Sequence, residues 1–327
     1  MNAPRRKRVG VVGARGFVGA ELVALLDNDP SCEVAFVTSK GAAGQQLGRH
    51  TLRDLSVEDV VAADVDAVVF GLQNGQCAPW VNAINAAGKD VVVVDVSADH
   101  RFDKAWVYGL TEMNREALRG CKRIANPGCY STAAQLATLP FQDLVLSAHV
   151  FGISGYSGAG ASPSKKNDTA LLRDNLLPYD LVGHTQEKEM NRHSGVDVRF
   201  MPHVAPFFRG ITCTIALELR RDVGKDDAIA RLRGRFAGEA LVHVTDDAPL
   251  VRDAAFAHGC TIGGVSSAAG RLVLVATIDN LLKGAATQAV QNLHLGLGVP
   301  ELGGIPLPTT QAATTSTSTS TSTETTR

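Results

Sequence analysis

Short apolar runs at 8–12, 33–37, 66–70 and 89–95 have the length of buried strands. Between them, 17–26 carries Phe17, Val18, Leu22, Val23, Leu25 and Leu26 at helical spacing, and 79–87 reads as a further helix. Strands alternating with helices predict βαβ units, hence a parallel sheet with helices on both faces across about the first 125 residues.

The pattern then changes. Runs at 148–153, 198–201, 211–219, 241–244, 260–265 and 272–278 are strand-like, with few helices between them. In 211–219, Ile211, Cys213, Ile215, Leu217 and Leu219 alternate with polar or small residues, as a half-buried antiparallel strand requires. Segments 133–139, 226–237 and 281–295 read as helices. The expected fold class is α/β: a parallel-sheet domain at 1–128, then an α+β domain on a mixed or antiparallel sheet at 129–280. A C-terminal helix within 281–300 is expected to pack back on the first domain. The tail at 309–327 is nearly all Thr and Ser, too poor in apolar surface to offset its ordering entropy, and is expected to be disordered.

Composition narrows the function classes. A chain of 327 residues has room for about two domains, and 45% hydrophobic with 20% charged residues is ordinary for a soluble globular protein. A formal net charge of −1 provides no field to attract nucleic acid or an anionic membrane. No apolar run approaches the ~18–20 residues of a transmembrane helix. The basic residues Arg5, Arg6, Lys7 and Arg8 lead into a strand rather than a signal-peptide core. Six cysteines (32, 77, 121, 129, 213 and 260) show no CxxC pair or His-rich spacing, which argues against zinc and for reduced thiols. A cytosolic protein without a metal is the expectation.

Two motifs carry chemistry. The first is Gly13-x-x-Gly16-x-x-Gly19, placed where the first strand turns into the first helix. Gly13 permits the tight turn, Gly16 lets backbone approach a pyrophosphate, and Gly19 allows close helix–strand packing. With Arg15, Phe17 and Val18 it forms the expected cofactor turn of a Rossmann-type domain, whose helix N-terminus offers free N–H groups to phosphate. The end of the second strand selects the dinucleotide. In place of the acidic residue that would hold a ribose 2′-hydroxyl stand Thr38, Ser39 and Lys40, which welcome a 2′-phosphate and predict NADP.

The second motif is Asn126-Pro-Gly-Cys129-Tyr-Ser-Thr132 ahead of the helical run 133–139. It sets Cys129 at a helix N-terminus, where the dipole and free N–H groups are expected to lower the thiol pKa and to hold an oxyanion. A nucleophilic thiol beside a nicotinamide predicts acyl-enzyme formation followed by hydride transfer. For the other five cysteines a small buried side chain is the expected role.

With these motifs in place, the chain resembles the N-acetyl-γ-glutamyl-phosphate reductases, relatives of aspartate-semialdehyde dehydrogenase. The resemblance rests on 126–132 (NPGCYST), 13–22 (GARGFVGAEL), 95–101 (DVSADHR), 108–115 (YGLTEMNR) and 155–160 (GYSGAG), all in order. It continues through 166–178 (KNDTALLRDNLLP), 201–210 (MPHVAPFFRG) and 279–292 (DNLLKGAATQAVQN), so that it spans 8–295. The middle segments look closer to the fungal-type branch. The resemblance implies attack of Cys129 on an acyl phosphate, departure of phosphate, and reduction of the thioester by NADPH. It implies Ser157, Gly158 and Asn280 near the cofactor, and Arg101, Asn126, His203 and Arg209 around the anionic substrate. It also implies a homodimer or homotetramer assembled through the second domain. His100 stands where the family has an aromatic, and a packing role is expected.

One departure bears on mechanism. The family carries a His-x-His motif whose second His is the acid/base; here the run is His184-Thr185-Gln186. Glutamine forms hydrogen bonds but shuttles no proton near neutral pH. Either Gln186 impairs an otherwise normal enzyme, or His184 has taken over the proton work, or another base such as His203 acts. Rival readings are a reductase of another acyl phosphate (aspartyl, aminoadipyl or N-succinylglutamyl) and a non-catalytic NADP-binding regulator.

Overall fold

The computed structural model describes residues 5–307; the Thr/Ser tail lies outside the described residues. The first half runs β1 (Lys7–Val12), α1 (Phe17–Asp27), β2 (Cys32–Thr38), a small ribbon of β3 (Gln46–Leu47) and β4 (His50–Thr51), α2 (Val57–Ala62), β5 (Ala67–Phe70), α3 (Ala78–Ala86), β6 (Val92–Asp95), β7 (Val107–Tyr108), α4 (Thr111–Leu118) and β8 (Arg123–Ala125). Six of these strands form a parallel sheet in the order β2-β1-β5-β6-β8-β7. Strands β5 and β6 are buried at every residue, as the near-continuous Val runs require of strands covered on both faces. From β1 the chain passes first to β2 on one side and then to β5 on the other. The carboxyl ends of β1 and β5 therefore flank a topological switch point, where ligands bind in open parallel sheets.

The second half runs α5 (Cys129–Thr138), β9 (Val145–Gly155), α6 (Thr169–Leu172), β10 (Leu177–Pro178), α7 (Thr185–Ser194), β11 (Asp197–Ala205), β12 (Ile211–Leu219), α8 (Lys225–Arg235), β13 (Val242–Val244), α9 (Val251–Ala254), β14 (Cys260–Ala268), β15 (Arg271–Ile278) and α10 (Thr287–Leu297). Its seven strands form one mixed sheet, β10-β11-β9-β12-β15-β14-β13. The alternation of β12 has the structural consequence anticipated: Ile211, Cys213, Ile215, Leu217 and Leu219 are buried in a core shared with α5 and α8. The opposite face is open, with cross-strand rows Met201–Phe151–Thr214–Val275 and His203–Ile153–Thr212–Thr277.

Structure and expectation differ in several short helices, and two of the differing stretches bear on the site. The continuous helix foreseen over 281–295 is a π-helical turn, Leu282–Ala286, followed by α10. The Asp279 carboxylate accepts the N–H groups of Leu281 and Leu282, and the wide turn is closed by Gly284 N–H to Asp279 O and Ala286 N–H to Leu281 O. Helix α7 has no counterpart among the predicted helices. Its sequence TQEKEMNRHS offers no apolar stripe, and it is held by buried Glu189, Met190 and Ser194 instead.

Candidate active site

The glycine turn closes as its residue types demand. Gly13 has φ +84°, and a Cβ there would lie 2.5 Å from Gly71 O; a Cβ on Gly19 would lie 2.5 Å from Gly13 O. The N–H groups of Gly13 and Ala14 donate to Thr38 O, stitching the turn to the end of β2. Gly16 caps α1 without a side-chain bond, so the helix opens with N–H groups available to an anion.

A cleft of about 1240 Å³ runs from this turn to Cys129. Of the expected cofactor residues, Gly13, Arg15, Gly16, Phe17, Val18, Thr38, Ser39, Lys40, Ser157, Gly158 and Asn280 all line it, while Gly19 packs beneath. Thr38 is buried and its hydroxyl accepts Leu55 N–H, while the side chains of Ser39, Lys40 and Arg15 line that end without a partner among the described residues. Asp54, from the loop after β4, lines the same rim, a carboxylate the sequence reading did not place there. The Asn280 amide donates to Ser157 Oγ at 2.9 Å and accepts Gly210 N–H at 2.7 Å, so the second sheet's end sits rigidly against the cleft. The open helix start, the free cations and the uncrowded Gly16 suit a 2′-phosphorylated dinucleotide.

Cys129 is the first residue of α5, with Gly128 as N-cap at φ −74°, ψ 154°. The Gly128 N–H donates to Glu189 Oε1 at 2.8 Å. Glu189 is fully buried and also accepts Tyr108 Oη–H at 2.7 Å and Arg101 Nη1–H at 2.9 Å. The remaining Arg101 nitrogens donate to Asn126 O and Val96 O. His193 stacks on Tyr108 at 3.6 Å and bonds Arg101 O through Nε2 at 2.7 Å. Asn126 is buried, its amide donating to Ala285 O and accepting from Asn292. Gln186 Oε1 accepts Ser131 N–H at 3.0 Å, which turns its amide N–H toward the Cys129 thiol.

The thiol departs from expectation. Burial pushes the Cys129 pKa above the ordinary thiol value, outweighing the Tyr130 N–H, the Arg101 charge and the Gln186 amide that pull it down. A helix N-terminus lowers a thiol pKa only when the desolvation beside it is smaller.

A second cavity of about 330 Å³ meets the cleft at Cys129, Arg101 and Gln186, and His184 lines it. His184 caps α7: its Nδ1 accepts Gln186 N–H at 3.0 Å, and burial lowers its pKa, so the neutral Nε2–H form is favoured. Three expected substrate residues, Asn126, His203 and Arg209, line neither cavity. His203 lies on the open face of β11 against Phe151, with Nδ1 toward Met201 O. Arg209 is buried, its Nε donating to Asp279 and its Nη1 to Glu21. His100 pairs with Asp95 at 2.6 Å and stacks on Trp106 at 4.0 Å, a packing role. Glu189 and His193 went unforeseen. Gly195, at φ +68° directly after α7, is the stop signal that would have revealed the helix carrying both.

Residues 8–121 match the family described as semialdehyde dehydrogenase, NAD binding domain, and 129–280 match semialdehyde dehydrogenase, dimerisation domain. The chain is 50% identical over 309 residues to an N-acetyl-gamma-glutamyl-phosphate reductase of Stenotrophomonas maltophilia, covering 91% of this chain and 98% of the relative. It is 47% identical over 309 residues to the protein of that name in Xylella fastidiosa, covering 91% and 94%. Among solved structures, aspartate semialdehyde dehydrogenase II of Vibrio cholerae superposes with TM-score 0.75 at 22% identity, over 89% of this chain and 98% of that one. The Candida albicans aspartate semialdehyde dehydrogenase with NADP superposes at 0.66 with 18% identity, over 90% and 99%.

Proposed function

The chain belongs to the N-acetyl-gamma-glutamyl-phosphate reductases of the semialdehyde dehydrogenase family, and from that premise we propose that it carries out the NADPH-dependent reduction of N-acetyl-γ-glutamyl phosphate to N-acetylglutamate semialdehyde in arginine biosynthesis. The observation that carries this reading is Cys129, set at the start of α5 on the wall shared by the dinucleotide cleft and the smaller cavity.

Cys129 Sγ attacks the acyl carbon, the bond to the phosphate oxygen breaks, and phosphate departs with the electron pair, leaving a thioester. A bound NADPH would supply hydride to the thioester carbon, and with the C–S bond then broken its electron pair returns to Cys129 Sγ as the aldehyde leaves. The glycine turn and the start of α1 would hold the pyrophosphate, with Arg15, Ser39 and Lys40 available to the 2′-phosphate and Ser157, Gly158 and Asn280 lining the cleft toward the thiol end. Ser131 N–H is already taken, so the Gln186 amide and the Tyr130 N–H are the donors beside the sulfur. Gln186 orients the thiol and carries no proton. His184 is the titratable group on the substrate side, and proton uptake at its Nδ1 breaks the cap of α7. Arg101 lends its charge to the thiol from within the Glu189 network, and Asn126 holds the Cys129 turn. His203 and Arg209 act as struts outside the cleft.

Assembly is assigned to the open face of the second sheet, whose central rows of Phe151, Ile153, Thr212, Thr214 and Val275 carry no formal charge, giving a homodimer or a homotetramer. No helix of the described residues is long and apolar enough to cross a membrane, and the cytoplasm is the proposed location.

The test is phosphate-dependent NADP⁺ reduction with N-acetylglutamate semialdehyde, comparing the chain with Gln186→His. Turnover in either form that Cys129→Ser abolishes supports the reading. Turnover only with aspartyl, aminoadipyl or N-succinylglutamyl analogues redirects it to another acyl phosphate. Tight NADPH binding without turnover in both forms replaces it with a regulator.

A further inference from the structure

The cations first expected around the substrate are engaged elsewhere. Arg209 lines neither cavity and is bound to Asp279 and Glu21. Arg101 lines the small cavity, but its charge is met by Glu189 and its Nε, Nη1 and Nη2 atoms all donate within the protein. An acyl phosphate that also bears a carboxylate still needs a cation near the thiol.

The lining of the small cavity supplies one. Lys166 lies on the same wall system as Cys129, His184 and Gln186. Its ammonium sits 4.6 Å over the Tyr179 ring, it is half-buried, and it forms no ion pair among the described residues. Its position is built rather than loose. It belongs to the 3-10 turn Lys165–Asn167, where Asn167 Nδ2 donates to Gly160 O at 2.9 Å and to Ser162 O at 2.8 Å. Asn167 Oδ1 accepts Ser164 N–H, and Gln73 of the first domain reaches across to Ser162 Oγ at 2.7 Å. The adjoining Lys165 is exposed and lines neither cavity. The Lys166 charge is also felt in the site, where it helps hold the His184 pKa down. Asp180 lines the same cavity from an exposed position without pairing with Lys166.

We propose that Lys166 is the substrate-binding cation of the thiol site and receives an anionic oxygen group, the carboxylate or the phosphate, of the acyl phosphate. This rests on the reaction assigned above. A half-buried ammonium held over an aromatic ring is partly desolvated before any ligand arrives, so an incoming oxyanion displaces little water from it.

The test reads binding apart from turnover. With NADP⁺ saturating, inorganic phosphate and N-acetylglutamate are titrated separately for protection of Cys129 against iodoacetamide, quantified on the Cys129 peptide. Lys166→Met is expected to weaken protection by one or both anions about 10- to 100-fold, the loss expected for a hydrogen bond to a charged group. Lys166→Arg keeps most of the protection and Lys165→Met keeps all of it. A shift confined to phosphate places the acyl-phosphate end at Lys166, and one confined to N-acetylglutamate places the carboxylate end there. Equal protection in Lys166→Met and the parent, or no protection of the parent by either anion, overturns the inference. Turnover that persists beside equal protection leaves the reaction standing and removes Lys166. Lys166-dependent protection without phosphate-dependent NADP⁺ reduction leaves an anion site and removes the reaction.

Discussion

At Gly128 a hydrogen atom is all the space allows, since a Cβ would lie 2.4 Å from the Gln186 side chain and 2.8 Å from Arg101 Nη1. The backbone N–H of that residue is bound by Glu189, which makes one buried carboxylate the anchor for the turn presenting the thiol. Glu189→Gln keeps the shape, but strips Arg101 of its counter-charge in a buried setting. Breaking such a pair typically costs about 3–5 kcal/mol, and turnover is expected to fall further than NADPH affinity because the cofactor turn is remote from it. A fluorescence titration of NADPH beside the rate separates the two effects, and equal losses in both would reduce Glu189 to a general folding role. Gln186 gives the complementary prediction. The Cys129 thiol now titrates above its ordinary value because of burial, so iodoacetamide labelling rises only toward alkaline pH. A protonated imidazole at 186 favours thiolate, so Gln186→His is expected to move the labelling midpoint to lower pH and to raise turnover by ~10²–10⁴-fold. A midpoint that stays put means the introduced ring does not reach the sulfur. Cys129 was legible from its NPGC turn, because proline, glycine and a helix start are local signals. The direction of its pKa was not, because desolvation depends on what packs from α7 and the π-helical turn.

Elements were readable in proportion to their apolar pattern. The Val-rich β5 and β6 and the alternating β12 emerged directly, whereas α7 and α4, with largely polar sequences, did not. Both are held by tertiary polar contacts, Glu189 in one and Glu112 in the other, which no local periodicity encodes. The π-helical turn belongs to the same class, for its width is set by Asp279 and by the close approach of Gly284 to Cys129. A Cβ on Gly284 would stand 2.8 Å from Cys129 Cβ and 2.9 Å from Asp279 O. Gly284→Ala must therefore move either α5 or the turn. Overpacking of this kind costs typically ~1–3 kcal/mol, and the displacement falls directly on the nucleophile. Turnover is expected to drop at least tenfold with a folded protein and unchanged NADPH binding. A variant with full activity and an unshifted Tm shows that the turn can yield without moving the thiol.

Across the molecule, buried polar links tie the C-terminal segment to both sheets. His294 of α10 bonds Asp29, at the end of α1, at 2.7 Å. Burial raises the Asp29 pKa, but His294 and the Ser31 N–H outweigh it and hold the group at about 2. The folded value lies below the unfolded one of 3.8. The link is therefore fully present above pH ~4 and lost as pH falls toward ~2, with no more than about 2 kcal/mol at stake. Asp29→Asn is expected to flatten that limb of the stability–pH curve. Lys283 makes the sharper case. It is fully buried in the π-helical turn, donating at 2.6 Å to Glu112 Oε1 of α4 and at 2.6 Å to Gln291 Oε1 of α10, while Glu112 Oε2 has no partner among the described residues. Two desolvated charges that face each other with one acceptor unmet add little net stability, yet removing either partner alone strands the other. Lys283→Met is accordingly expected to cost about 3–5 kcal/mol in urea unfolding at fixed protein concentration. Lys283→Met combined with Glu112→Leu is expected to return most of that loss, because no buried charge then remains. If the double variant is as unstable as the single one, the ammonium contributes through Gln291 and the turn geometry rather than by neutralising Glu112. If the double variant recovers stability but not turnover, the ion pair sets the position of the π-helical turn against Cys129, and its cost to the fold is retained for the site.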